Sequence, residues 1–463
     1  MKEQAVVERA LALVADFGKE LTRPEQKFLQ DLVLGILCSQ SSLLSEITRG
    51  ISDTQNLNTI YDRLDMNLGK YDLTRPYERA QRKLLRSLDE THLLIFDPSE
   101  IVKPFAKKME GLRQVRDASE PARVTWDRKK GKYKSSVVLK PGYPLRVAIA
   151  LAANGDVLPI DLALYSAASE TFLSENDEHL QPLTTLLAQT DFKLLLILDR
   201  GFDSYIFIRH FCELNQRFVI RLKSNRKYKV PGAGSGSYVK TYSREHMTEK
   251  HAFLETKSIV TYTRAGVTEP LLFSFTASHV ELLPEFQKKG ASFRNSAQDS
   301  DLLTLIRMQI HKTEEKIPTL YLLTNARPKT AAELEQIGRA YLARWNVEEY
   351  IRFLKQHFSL EDFLVRDLGR MKNLIRGVYI ATVIIHLLTD RNSVKGNKTH
   401  HCLIQNSQPV AKPKRYRDFH LYAYGRGLSR VVQANRALLN RLNVGLNESE
   451  IILENQLTFS IFD

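Results

Sequence analysis

Residues 192–203 read Phe192-Lys193-Leu194-Leu195-Leu196-Ile197-Leu198-Asp199-Arg200-Gly201-Phe202-Asp203, an apolar run closed by a carboxylate and then by glycine. A run this short, bounded by charge, reads as a buried strand, since a helix needs roughly ten residues or more to bury a face. Asp199 then stands where strand gives way to loop, the place where open α/β sheets collect functional groups. A helix N-cap is the other ordinary use of an aspartate there. The pattern recurs at His92-Leu93-Leu94-Ile95-Phe96-Asp97, which Pro98 is expected to stop.

Between the two acids, residues 145–152 and 157–164 flank Asn154-Gly155, a hairpin turn signal, and a helix is expected near 177–189. The chain therefore reads strand, hairpin, helix, strand, with acids closing the first and fourth strands. A helix near 203–214 and a strand over 218–223 follow. Arg221 and Lys223 alternate with apolar neighbours in that strand and would share one face; solvated cations on an edge strand are the rival reading. Runs such as 258–263 and 271–275 make the segment up to 318 β-rich.

The other informative stretch is 341–355: Tyr341-Leu342-Ala343-Arg344-Trp345-Asn346-Val347-Glu348-Glu349-Tyr350-Ile351-Arg352-Phe353-Leu354-Lys355. On one continuous helix, Arg344, Glu348 and Lys355 fall at roughly −60°, −20° and −40° from Tyr341, so a phenol, a guanidinium, a carboxylate and an ammonium share a stripe. That mixture suits a metal-bound carboxylate beside phosphates gripped by cations. A solvated face with an i,i+4 pair such as Arg344 with Glu348 is the alternative.

Taken together, Asp97, Asp199 and Glu348 resemble the Asp-Asp-Glu triad of the DDE transposases. Tyr341, Arg344, Glu348 and Lys355 match the Tyr-(2)-Arg-(3)-Glu-(6)-Lys signature of the bacterial insertion-sequence-four branch, and Asp-Arg-Gly-Phe at 199–202 and Arg-Trp-Asn-Val-Glu-Glu at 344–349 fit it as well. The resemblance covers about residues 90 to 390. It implies an α/β protein with a ribonuclease-H-like catalytic core over 91–227 and 319–390, and a β-rich insertion over 228–318. A helical end-recognition domain over 1–90 and a C-terminal region over 391–463, for DNA or dimer contacts, complete it. Glu348 lies 348 − 199 = 149 residues after Asp199, and the insertion accounts for that distance.

The activity implied is cut-and-paste DNA transposition: cleavage at the element ends and strand transfer into target DNA. Converging carboxylates repel one another, a cost that divalent ions remove, and two Mg²⁺ or Mn²⁺ ions on oxygen ligands suit in-line displacement at phosphorus. Asp97 would bridge both ions, Asp199 hold one and Glu348 the other. Arg344, Lys355, Tyr341, Arg200, Arg221 and Lys223 would hold DNA. Two departures stand out. Pro98-Ser99 follows the first acid where relatives often carry Asp-Thr, which keeps Asp156 and Asp161 as lesser candidates. The only tryptophans, Trp126 and Trp345, lie outside the insertion, so a flipped base would need Tyr262 or a phenylalanine there.

Composition agrees. A formal net charge of +14 favours a polyanionic partner, and residues 101–142 carry 12 Lys and Arg against 4 Asp and Glu, a stretch that reads as a phosphate-binding loop or a solvated basic one. The uncharged runs are short, 14 residues at 32–45 and 13 at 377–389, which predicts no membrane span. The 3 cysteines, Cys38, Cys212 and Cys402, have no paired spacing, so a reducing cytoplasm is the expected setting; association with a bacterial or archaeal nucleoid is what the resemblance implies. Apolar spacing at 28–38 and 43–51 around Ser39-Gln40-Ser41-Ser42 suggests a helix-turn-helix or another small bundle. The tail holds Lys412-Pro413-Lys414-Arg415-Tyr416-Arg417 and helical spacing at 428–442. Partners implied by the resemblance are double-stranded DNA, as terminal inverted repeats and as target, and a second subunit in a homodimer. The rival functions are a DNA-binding protein of transposase descent without catalysis and a ribonuclease-H-like nuclease.

Overall fold

The computed structural model describes residues 3–51, 56–121, 123–127, 132–191, 194–223, 228–229, 251–264, 267–282, 302–311, 319–391, 393–407 and 420–435. Helices come first: α1 (Glu3–Phe17), α2 (Arg23–Ser39), α3 (Leu44–Ile51), α4 (Leu57–Lys70) and α5 (Thr74–Leu85). Strands follow as β1 (Leu93–Val102), β2 (Arg113–Arg116), β3 (Arg123–Asp127), β4 (Lys132–Ser136), β5 (Leu139–Leu151) and β6 (Val157–Leu164), then α6 (Glu175–Ala188), β7 (Leu195–Leu198), α7 (Tyr205–Glu213) and β8 (Phe218–Arg221). Next are β9 (Tyr228–Lys229), β10 (Ala252–Arg264), β11 (Val267–Leu282), β12 (Leu303–His311) and β13 (Leu320–Thr324). The chain continues through α8 (Ala331–Leu342), α9 (Trp345–His357), α10 (Leu368–Thr389), α11 (Val394–Ser407) and α12 (Leu421–Ala434). Two compact units result, Gln81–Ile351 and Met1–Ala80 with Arg352–Asp463.

The first unit holds an 11-stranded sheet in the order β10-β11-β12-β13-β8-β7-β1-β5-β2, with β6 also on β5 and β9 on β11. β7 runs parallel to both β1 and β8. Leu94, Ile95, Phe96, Leu196, Ile197, Leu198, Phe218, Val219 and Ile220 are all buried, as continuous apolar runs in central strands should be. Asn154-Gly155 makes the expected turn between β5 and β6, with Gly155 at φ +82°. The strands of the β-rich segment extend this same sheet, since β12 pairs antiparallel with β13 and β11 with β12.

Two strand boundaries differ from expectation. β1 does not stop at Pro98 but runs on to Val102, paired with β5. Its pairing with β7 ends at Phe96↔Leu198, so beyond that point the ladder needs hydrogen bonds on the β5 side alone, and a strand bonded on one side tolerates a residue without an N–H. The strand at 218–223 ends at Arg221, leaving Lys223 beyond it, and it is no edge: β8 lies between β7 and β13.

The second unit is helical and wraps α10. That helix is buried nearly all round from Met371 to Thr389, as expected of a core helix that is apolar on every side. By length and hydropathy (1.3) it would also qualify to cross a membrane, but 78% of the qualifying window is buried inside the protein. Asn373 fastens it: its amide donates to the carbonyls of Leu68 (2.9 Å) and Tyr71 (2.6 Å) and accepts from Leu73 N–H (3.2 Å). Arg370 pairs with Asp65, and Arg376 with Asp72 at 2.7 Å. α2 and α3 meet at 98°, within the range of a helix-turn-helix. Their crossing is close because Gly35 faces Ile47 and Gly50 faces the Gly35 carbonyl; a Cβ at either would come within 2.6 or 2.7 Å of those atoms. The basic run 412–417 and residues 436–463 lie outside the described residues, so the expected helix at 428–442 is described only as far as α12 and the turn at Asn435.

Candidate active site

The sheet register places the two aspartates. Phe96 and Leu198 are the last paired residues of the parallel β1–β7 ladder, and Asp97 and Asp199 are the residues that follow them on adjacent strands. Where the two strands part, two carboxylates are left side by side. Phe202, in the short turn Arg200–Phe202 after Asp199, is buried and packs edge-on against Phe96 at 5.3 Å, so the Arg-Gly-Phe that follows the acid braces the strand carrying its partner. Asp203, fully buried, accepts from the Lys223 N–H at 2.6 Å and pins the chain beyond β8. Nothing in periodicity marked Asp203, although its place in Arg-Gly-Phe-Asp was visible.

The third acid arrives on α9. The expected single helix through 341–355 is instead two, α8 and α9, joined at Ala343-Arg344. There the bonding tightens to i→i−3: Arg344 N–H donates to the Tyr341 carbonyl (3.0 Å), Asn346 N–H to Ala343 (3.1 Å) and Val347 N–H to Arg344 (3.1 Å). The Asn346 amide also donates to the Ala343 carbonyl at 2.8 Å. Three-residue turns eclipse positions i and i+3, so Tyr341 and Arg344 stay on one side despite the break. α8 lies close on the sheet because Gly338 has no Cβ to strike the Phe275 ring of β11.

Arg344 joins the three acids. One terminal nitrogen donates to Asp97 Oδ2 at 2.8 Å, the other to Glu348 Oε1, and Nε lies 3.8 Å from Asp199 Oδ1. Tyr341 donates its hydroxyl to Asp199 Oδ1 at 3.3 Å, and Arg221 lies 3.9 Å from the same oxygen. Depth varies: the Arg344 and Asp97 side chains are 14% and 17% exposed, those of Asp199 and Glu348 33% and 32%. Solvent therefore reaches the cluster from the Asp199 and Glu348 side, with Asp97 at its floor.

The electrostatics follow from three carboxylates against two guanidinium groups. Burial pushes the Asp97 carboxyl up to about 7; Arg344 opposes this, and repulsion from Asp199 and Glu348 adds to it. Burial alone would lower Arg344, but Tyr341, Asp97, Asp199 and Glu348 outweigh it and hold the guanidinium above its usual range. Burial raises the Tyr341 phenol, keeping it a neutral donor.

Other expected site residues fall elsewhere. Arg200 is exposed in its short turn, and Lys223 is exposed past the end of β8. Lys355 belongs to the helical unit, where it pairs with Glu361 at 3.1 Å. Asp161 is buried and paired with Arg146, and Asp156 lies in the β5–β6 turn, its N–H donating to the Asn154 side chain at 2.9 Å. The backbone of Tyr262 is in β10, but its side chain lies outside the described residues.

Among the described residues, no group of three or more His, Cys, Asp or Glu is gathered closely enough to hold a metal ion. The Arg344 guanidinium stands between the three carboxylates and sets their spacing. In kind the donors do suit a hard divalent cation: three carboxylates, one of them held well above its usual range by burial and by its neighbours.

A family model described as the transposase DDE domain matches residues 95–384, from the strand bearing Asp97 to the core helix α10. The chain belongs to this family. A comparison with curated proteins gave no match. Among solved structures the chain is similar to a piggyBac transposase synaptic complex with hairpin DNA, at 10% identity and a TM-score of 0.38 over 98% of this chain and 75% of that one, a likeness too weak to bear on the fold.

Proposed function

We propose that this DDE-family protein is an active DNA transposase of the insertion-sequence-four branch, with a ribonuclease-H-like core that cleaves element ends and joins them to target DNA. The observation that carries this reading is the meeting of Asp97, Asp199 and Glu348, from three separate elements, on the single guanidinium of Arg344. Binding DNA requires no converging acids, so the arrangement favours catalysis over a purely DNA-binding role. Asp97, Asp199 and Glu348 would hold divalent ions; when bound, two Mg²⁺ or Mn²⁺ ions supply the Lewis acidity of phosphoryl transfer. Arg344 holds the three carboxylates together and offers its fork to a phosphate, which it matches in shape. Tyr341 orients Asp199 as a neutral donor, and Arg221, Arg200, Lys223 and Lys355 hold the DNA backbone.

The domain reading that accompanies this proposal assigns end recognition to residues 1–90, catalysis to 91–227 and 319–390, an insertion to 228–318 and DNA or dimer contacts to 391–463. Two protomers would bridge two element ends. The test uses a short element with its native terminal repeats and Mg²⁺, incubated with the wild-type protein and with Glu348→Gln. Cleavage at the ends and joined products from the wild type alone support the transposase; cleavage without joining favours a nuclease of the same fold. End binding without cleavage, in Mg²⁺ and in Mn²⁺, overturns the catalytic reading.

A further inference from the structure

β1, which carries Asp97, runs into a loop over 103–112 that passes from one side of β5 to the other, since Val102 and then Arg113 of β2 both pair with Gly142. The loop is tethered along its length. Lys103 N–H donates to the Pro141 carbonyl (2.7 Å), the hydroxyl of buried Tyr143 to the Glu110 carbonyl (2.6 Å) and the Ser166 hydroxyl to the Gly111 carbonyl. Between these anchors a tight turn, closed by Ala106 N–H on the Lys103 carbonyl at 3.0 Å, puts Pro104 and Phe105 at its tip. Phe105 is 92% exposed, so the fold fastens this loop and yet buries almost none of its ring. Single apolar residues on a surface are ordinary, but a phenyl ring held this far out on a tethered turn calls for a partner.

The surroundings of the ring are cationic and narrow that partner. Residues 103–116 hold 5 Lys and Arg against Glu110 alone, a net +4. Lys107, Lys108, Arg113 and Arg116 are exposed, and among the described residues none of the four is in an ion pair. Leu139, opposite Arg116 in the β2–β5 register, is 58% exposed and adds apolar surface. The cores of protein–protein interfaces are depleted in lysine, and one ring buries too little to hold a bilayer. Duplex DNA matches both features: its phosphates take the cations, and apolar side chains such as phenylalanine wedge between base pairs and kink the helix. At about 3.3 Å per residue β1 covers about 17 Å from Asp97 to Val102, so a duplex in the candidate active site, rising about 3.4 Å per base pair, reaches the loop in about five base pairs. We propose that Phe105 is a wedge that enters a base step of bound duplex DNA and kinks it while Lys107, Lys108, Arg113 and Arg116 hold the adjacent phosphates. The proposal rests on the reading above only in taking DNA as the substrate.

The test titrates the full-length protein, without divalent metal so that nothing is cut, onto duplexes of the element end carrying 2-aminopurine at successive positions. That base brightens when it loses its stacking; affinity is read in parallel from the anisotropy of labelled DNA. The wild type should brighten the probe at one step. Phe105→Leu should keep the signal, since leucine also serves as a wedge, and Phe105→Ala should lose it while affinity falls by less than about ten-fold, because the phosphates are still held. Replacing Lys107 and Lys108 together by alanine should lower the slope of log affinity against log salt by about 2. Circular dichroism confirms that each variant is folded. Equal brightening by the wild type and Phe105→Ala, or none at any position of bound DNA, overturns the wedge, and an unchanged salt slope overturns the role of the cations. A Phe105→Ala protein that brightens the probe as the wild type does but falls to a smaller assembly in sedimentation overturns the wedge too, and assigns the tip to a second copy of the chain. Failure to bind DNA overturns both the wedge and the DNA reading, whereas binding and local brightening without cleavage once Mg²⁺ is added supports the wedge and removes only catalysis.

Discussion

The sheet unit and the helical unit both place acidic side chains against arginines, but they balance the charges differently. On α10 the two arginines each have their own acid, Arg370 with Asp65 and Arg376 with Asp72. At the end of the β1–β7 ladder Arg344 serves three acids, with Arg221 near one of them. The consequence shows in the two aspartates. Burial is the largest influence on each and pushes both upward, yet Thr74 and Arg376 bring Asp72 below its usual range, whereas Asp97 stays near 7. Matched pairs fasten helices together; an excess of buried carboxylate is a cost that folding alone has no reason to keep.

The strongest way to break this comparison is to neutralise one acid in each unit. Asp97→Asn should lower end cleavage by on the order of 10³-fold or more without loss of stability, whereas Asp65→Asn should leave cleavage intact. Because Asp65 and Arg370 are each about a third exposed, the second change should cost less than about 1 kcal/mol by urea denaturation. Loss of stability in Asp97→Asn, with activity retained, would make Asp97 one more fastening.

Acid sharpens the contrast at an intermediate level. His357, stacked on Phe353 in the helical unit, is held down to about 3 by burial, and His179 in the sheet unit to about 4. A histidine lowered in the fold contributes stability above about 6.5, which is lost as pH falls towards the folded value, at about 1.4 kcal/mol per pH unit. Asp97 runs the opposite way, since a raised carboxyl contributes stability in acid that is lost as pH rises from about 4 through 7. In the sheet unit His179 and Asp97 therefore act in opposite directions between pH 4 and 6.5, whereas in the helical unit His357 acts in the acid-sensitive direction. Hydrogen exchange at pH 7 and pH 5 should show protection falling around α9 and α12 and holding in β1 and β7. Asp97→Asn should make β1 and β7 acid-sensitive as well. Equal loss in both units in the wild type would contradict this opposition.

Smaller effects belong to the helical unit alone. Asn373→Ala removes three hydrogen bonds between α10 and the α4–α5 turn and should cost about 2–3 kcal/mol, read from the urea midpoint. Gln40, at φ 54° after α2, is in a left-handed conformation that glycine adopts freely, so Gln40→Gly should gain up to about 1 kcal/mol.

How much of this was legible in the chain depended on the range of the signal. Asn154-Gly155 and the apolar runs ending at Asp97 and Asp199 are local patterns, and the turn and the two strand ends follow from them. Pro98 misled because its tolerance depends on β7 leaving β1, which is a fact about a strand about 100 residues away. The break at Ala343-Arg344 left no mark, since a single tightened turn barely disturbs helical spacing. The grouping of both chain ends around α10 rests on contacts such as Asn373 with Leu68, across 305 positions, and no periodicity records them. At the candidate site the residue types were legible, but the central place of Arg344 among the acids was not.

Asp97, Asp199 and Glu348 are proposed to form a cation-binding, catalytic cluster. Its most direct test is Mn²⁺ titration followed by electron paramagnetic resonance, comparing wild type, Asp97→Asn and Asp161→Asn, the last removing the buried acid paired with Arg146. The account predicts saturable Mn²⁺ binding by the wild type and by folded Asp161→Asn, and loss of that binding in Asp97→Asn. Identical binding by all three proteins, or loss only in Asp161→Asn, would contradict it.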